Sequence, residues 1–280
     1  MYDAATHAAV GHQRAQGELG LAFRLREGRT VLDDLRQQGC LKARFPRAER
    51  AGWAGAVTLN TSGGVAGGDR LASRIALAAG AQATIASQAA ERVYRALPAS
   101  PPSLVRTSID LAPGAALDYL PQETILFDGC ALDRRLEIAL HGDAWFLGVE
   151  TLVFGRAAMG EQLRQARLAD TIRLRHDGRL LLHDAIRLDG NVAAALDRPA
   201  VGAGARVVTT LIHAAPDAAA RLEPLRDALA LPGVEAGVSA WDNLLIARLA
   251  APDGACQRRA VVAGLAALRD GRPLPRVWLC

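Results

Sequence analysis

The sequence predicts a mainly β protein of stacked β-sheets in β-helix-like layers, with two α-helices in the C-terminal third. Three observations lead there. Apolar and polar residues alternate along much of the chain from Leu19 to Gly190. Glycine-centred turns interrupt that alternation. Only two later segments switch to helical spacing.

The first eighteen residues are rich in Ala and His and carry no period, so they read as the flexible N-terminal arm of one large domain spanning 1–280. From Leu19 the segment LAFRLREGRTVLDDL alternates, with a turn at Glu27–Gly28. Leu21, Phe23 and Leu25 then share one face, because strand side chains repeat every second residue. A loose echo follows. LAAGAQATIASQ (Leu77–Gln88), LAPGAALDYLPQ (Leu111–Gln122) and ALHGDAWFLGVE (Ala139–Glu150) each read as strand, turn at Gly80, Gly114 or Gly142, and strand. Repeated strand–turn–strand units fit stacked layers; similar but unrelated hairpins fit them equally. RLRHDGRLLLHDAIRLDG (Arg173–Gly190) carries a further turn at Asp177–Gly178.

The two helical segments are Asp217–Leu231, with Leu222, Leu225 and Leu229 on one face, and Ala255–Asp270, with Val261, Leu265 and Leu268. Pro224 falls inside the first and suggests a kink. Between them, VSAWDNLLIARLAAPDG reads as one strand ending in a turn.

Composition narrows the function. Half of the residues are hydrophobic and only 4% aromatic, so aliphatic side chains must build the core. No apolar run approaches the ~18 residues of a membrane span, and the N-terminus lacks a secretory pattern; a cytoplasmic protein is expected, without membrane partners. The net charge is +4, yet arginines are scattered among acids and Lys42 is the only lysine. No basic stripe interleaves with aromatics, which argues against nucleic acid. Cys40, Cys130, Cys256 and Cys280 are too widely spaced for a CxxC zinc site.

LNTSGGVAGGDRL (Leu59–Leu71) packs four glycines into six positions. A P-loop would continue Gly-Lys-Ser/Thr, whereas Asp69 follows Gly68. A dinucleotide fold would continue into a helix, whereas RLASRIALAAG alternates. The segment therefore reads as a tight loop where backbone passes close to backbone, with Asp69 and Arg70 held at its end. QAAERVYR, LDYLPQETILFDG and FGRAAMGE add Glu91, Glu123, Asp128 and Glu161. Two such acids in one pocket would suit a hydrolase on a β scaffold, the alternative to a non-catalytic protein.

These segments, in this order, with LPRVW at Leu274–Trp278, resemble the urease accessory protein UreD (UreH) family over nearly the whole chain from Leu19 to Trp278. The resemblance implies a non-catalytic scaffold that binds the urease apoprotein subunits, recruits UreF and the GTPase UreG, and conducts nickel towards the urease active site. It implies no tightly bound cofactor, only nickel in transit. The histidines make no HxH or HExxH cluster, so scattered carboxylates that bind weakly suit such transit better. The candidate metal-contacting residues are Asp69 and Asp184, followed by Glu91, Glu123 and Glu150.

Overall fold

The computed structural model describes residues 14–47, 51–156 and 159–279. Two large sheets face each other across an aliphatic core. Strands β1 (Gln16–Arg26) and β2 (Arg29–Gly39) form the expected hairpin, with Glu27 and Gly28 at φ 50° and 74°. Two left-handed residues match the twist of the flanking strands. Leu21 and Phe23 are buried as expected, but Leu25, at the strand end, is 46% exposed. Residues 16–18 of the expected arm are part of β1, with Gln16 paired to β5 and Gly17 and Glu18 paired to both β2 and β5; positions 1–13 lie outside the described residues.

The chain then coils. It runs through β3 (Leu41–Arg44), β4 (Ala54–Asn60), β5 (Arg70–Leu77), β6 (Gln82–Ser87) and β7 (Glu91–Val93). It continues through β8 (Ser103–Leu111), β9 (Ala116–Leu120), β10 (Thr124–Leu126), β11 (Ala131–Leu140) and β12 (Trp145–Phe154). Strands β5, β8 and β11 stack in parallel in one sheet, and β6, β9 and β12 stack in parallel in the other. The three echoed segments are the corners where the chain passes between the sheets. Stacked layers, not chance hairpins, explain the echo. Gly80, Gly114 and Gly142 sit at φ 70°, 71° and 58°, where a side chain is disfavoured. Each corner also ties to the next: Gly80 N donates to Pro113 O, Gly114 N to Asp143 Oδ1, and Gly142 N to Asp177 Oδ1. Short β7 and β10 pair with each other, and β10 with the C-terminal end of β12, so both belong to the second sheet.

Strands β13 (Ala166–His176) and β14 (Arg179–Gly190) then form an antiparallel hairpin within one sheet, a different object from the three corners. That sheet has the order β14-β13-β11-β8-β5-β1-β2. The other is extended by β15 (Val207–Ala214), β16 (Glu235–Trp241) and β17 (Leu244–Ala251), giving the path β16-β17-β15-β12-β9-β6-β4-β3. The expected single strand 238–254 is thus a hairpin turning at Asp242 and Asn243, both at positive φ. Asp and Asn tolerate that conformation better than most residues.

Helix α1 (Val192–Asp197) was not anticipated, being too short to show a period; Asn191 caps it by accepting from Ala194 N. Helices α2 (Leu222–Leu229) and α3 (Gly254–Leu268) occupy the two expected segments and bury Leu225, Leu229, Val261, Leu265 and Leu268 in a second core against β15–β17. Pro224 makes no kink, because α2 starts at Leu222 and the proline lies in the first turn. A missing N–H there costs no helical hydrogen bond.

Candidate functional site: a charged row between the sheets

Inward positions of the coil are aliphatic with a few exceptions, and the exceptions lie together. On β11 the inward series runs Leu132, Arg134, Leu136, Ile138; on β13 it runs Leu168, Asp170, Ile172, Leu174. On β14 Asp184 sits between Leu182 and Ile186, and on β12 Glu150 precedes Leu152 and Phe154 in the inward series. Register then brings the exceptions together, since Arg134 stands directly opposite Asp170.

Arg134 holds the group. Its Nε and Nη2 donate to Asp170 Oδ1 and Oδ2 at 2.9 and 2.7 Å, a bidentate fork. Its Nη1 donates to Thr124 Oγ1 at 3.0 Å and lies 2.7 Å from Glu150 Oε2. The side chains of Arg134 and Glu150 are only 12% and 10% exposed. One guanidinium therefore serves two carboxylates. Burial pushes the Glu150 carboxyl up to about 7; Arg134 pulls it down and Asp170 adds to the rise. Burial alone would lower the pKa of Arg134, but Asp170 and Glu150 hold it above its ordinary range. Desolvation prevails at Glu150 because Arg134 gives its fork to Asp170.

Two cavities flank this group. The larger, of about 280 Å³, lies between the sheets; Glu91, Asn60, Tyr119, Thr124, Arg134 and Glu150 are among its walls. The smaller, of about 10 Å³, is lined by Arg134, Glu150, Asp170, Asp184 and Thr210 among others, room for about one water. Asp184 is ion-paired with Arg248 of β17, whose side chain is 45% exposed, so this end of the row reaches the surface. At the other end, Asn60 Nδ2 donates to both carboxylate oxygens of Glu91, and burial raises the Glu91 pKa.

Three of the five sequence candidates, Glu91, Glu150 and Asp184, thus belong to one row of cavities. Glu123 does not. It lines a separate cavity of about 350 Å³ beside Arg258, Gln257 and Trp278, with Arg258 Nη1 3.8 Å away. Asp69 lies apart from all three cavities. It is 4% exposed and accepts from Ala15 N and Ala66 N at 2.8 and 2.7 Å, so its carboxylate closes the glycine-rich loop onto β1. Sequence reading missed Arg134, Asp170 and Tyr119. The signal for the first two was a lone charge at an inward slot of an otherwise apolar alternation.

The glycine-rich loop behaves as its composition requires. A Cβ on Gly64 would lie 2.3 Å from Tyr94 Cε2 and 2.8 Å from Arg92 O. Gly68 leads into strand β5, not into a helix. Tyr94 Oη donates to Gly63 O and its ring meets Phe127 edge-on, with the Arg156 guanidinium over Phe127 and Glu161 beside Arg156. Four separated motifs therefore interlock from layer to layer along the coil; positions 157 and 158 of FGRAAMGE lie outside the described residues. Trp278 of the fifth motif donates from Nε1 to Leu120 O and lies under Arg258.

Among the described residues, no group of three or more His, Cys, Asp or Glu is arranged to hold a metal ion. No described helix is long and apolar enough to cross a membrane.

Comparison with known proteins agrees with the motif reading. The family model described as UreD urease accessory protein matches residues 15–279. A urease accessory protein UreD of Methylobacterium sp. (strain 4-46) is 47% identical over 272 residues, covering 95% of each chain. That of Dinoroseobacter shibae is 46% identical over 95% of this chain and 92% of its own. That of Rhizobium leguminosarum bv. trifolii is 42% identical over 97% of both. With a family match across nearly its full length and relatives this similar, the chain belongs to the UreD urease accessory protein family.

Proposed function

We propose that this chain is a non-catalytic urease maturation factor of the cytoplasm, which binds apo-urease, recruits UreF and the GTPase UreG, and conducts nickel through its interior. The observation that carries the conduction reading is the row Glu91–Glu150–Asp184, set along cavities between the two sheets. Buried carboxylates without a functional partner are costly, and aliphatic residues would fill these slots at lower cost. A transit route needs charges of this kind. Oxygen ligands spaced along a passage bind a divalent ion loosely enough to release it, unlike a closed His or Cys cage. The interlocked motif surface supports a scaffold role, since it presents an exposed Met159 beside loops that are bonded to one another.

The hydrolase alternative has less behind it. The carboxylates brought together here, Glu150 and Asp170, have a guanidinium bridged between them. A hydrolytic pair needs one carboxyl free to accept and the other free to deliver a proton.

Co-expression with UreF, UreG and the urease subunits tests the reading. The chain is expected to co-purify with them. Glu91→Ala and Asp184→Ala are each expected to assemble normally yet lower urease activation several-fold. Absence of all partners from the pull-down, or full activation by both variants, would refute it.

A further inference from the structure

We infer that Arg134 is the gate of the interior passage: a resident cation that occupies the neck between the two cavities and yields only to a divalent ion. The inference rests on the conduction reading and assigns that route its control point. The two residues common to the walls of both cavities are Arg134 and Glu150. An ion that moves from one of these cavities to the other passes their contact. There the guanidinium makes four contacts, two to Asp170, one to Glu150 and one to Thr124.

An arginine is suited to this place where a lysine or histidine is not. It does not give up its proton in a protein, so the neck cannot open by deprotonation of its cation. The side chain must move instead. The 280 Å³ cavity next to it, walled by Tyr119 and Thr124, has room to receive it. Exchange then discriminates by charge. A sodium or potassium ion replacing the guanidinium at Glu150 exchanges one positive charge for one and loses the fork geometry. A divalent ion brings two charges to two carboxylates, and the displaced guanidinium remains available to push the ion onward and reclaim the pair. The fork on Asp170 is the stronger hold, so Glu150 is released first. No covalent or redox step is involved.

The test uses the full-length chain and Ni²⁺ as the probe. Arg134→Met removes the cation and keeps the bulk. It is expected to retain several-fold more nickel than wild type in equilibrium dialysis. Its melting temperature is expected to fall by about 10 °C without nickel and to recover on adding nickel, while that of wild type does not move. The double variant Arg134→Met/Glu150→Gln is expected to lose the retention. Arg134→Lys, which keeps the charge without the fork, covers the case in which the methionine variant does not fold; its retention is expected between the two. Nickel retention at the wild-type level in both single variants overturns the gate. That outcome is separate from failure of conduction itself, which full urease activation by Glu91→Ala and Asp184→Ala would show.

Discussion

Asp69 and Glu150 are both buried carboxylates, and the molecule treats them in opposite ways. At the glycine-rich loop, Asp69 accepts from two backbone amides, Ala15 N and Ala66 N, and the loop closes around it. In the charged row, Glu150 shares a single guanidinium with Asp170 and borders open space on both sides. The first carboxylate is satisfied by fixed backbone and has no freedom to exchange partners. The second is held by a side chain that serves another carboxylate as well, and is raised to about 7 by burial. Burial alone therefore does not mark a functional acid; what marks it is the kind of partner and the space beside it.

The largest effect that separates the two regions is expected at Asp69. Asp69→Ala strips two buried amides of a charged acceptor and should cost about 3 kcal/mol of stability, read as a lower urea midpoint with an unchanged slope. Loss of nickel delivery in that variant should follow loss of fold. Glu150→Gln should do the reverse, leaving the unfolding free energy at pH 7 within about 1 kcal/mol of wild type while cutting urease activation several-fold.

A pH series sharpens the contrast further. The folded-state pKa of Glu150 lies above its unfolded value of 4.5. Folded protein therefore holds that proton more tightly, and the contribution is fully present below about pH 4.5. It is lost as pH rises through about 7. Wild type should lose more stability than Glu150→Gln between pH 5 and pH 8, measured by urea midpoints at both; parallel curves would mean that Glu150 titrates normally. The smallest effect is expected at Glu123. Its side chain is 34% exposed and 3.8 Å from Arg258, so Glu123→Gln should change stability by less than about 0.5 kcal/mol and leave activation unchanged.

Much of the fold was legible in the sequence, because period-two alternation and glycine turns are local signals. The three echoed corners were visible as text, yet only register could distinguish stacked layers from hairpins. Residues such as Gly80 and Pro113 meet across layers, a relation that no window of sequence contains. The strand pair around Asp242–Asn243 was missed because its turn uses Asp-Asn where glycine is the usual signal. Pro224 misled because helix position, not presence, decides its effect.

The site was legible in part. Glu91, Glu150 and Asp184 could be named from the motifs and the strand text, but so could Asp69 and Glu123, and nothing local separates the two sets. The arginine at the centre was invisible as a member of the short pair Arg134–Arg135. Its inward slot between Leu132 and Leu136 was the available clue. Its partner Asp170 comes from a strand distant in sequence and is set opposite it by register alone.

Blocking the space while sparing every charge tests the conduction account most directly. Ser73 of β5 lines the 280 Å³ cavity at an inward slot between Leu71 and Ile75. In Ser73→Phe, with Ser73→Ala as the open control, nickel per urease active site should be measured after co-purification has shown equal assembly. The account predicts nickel near background for the phenylalanine variant and wild-type loading for the alanine. Wild-type loading through the filled cavity would contradict it.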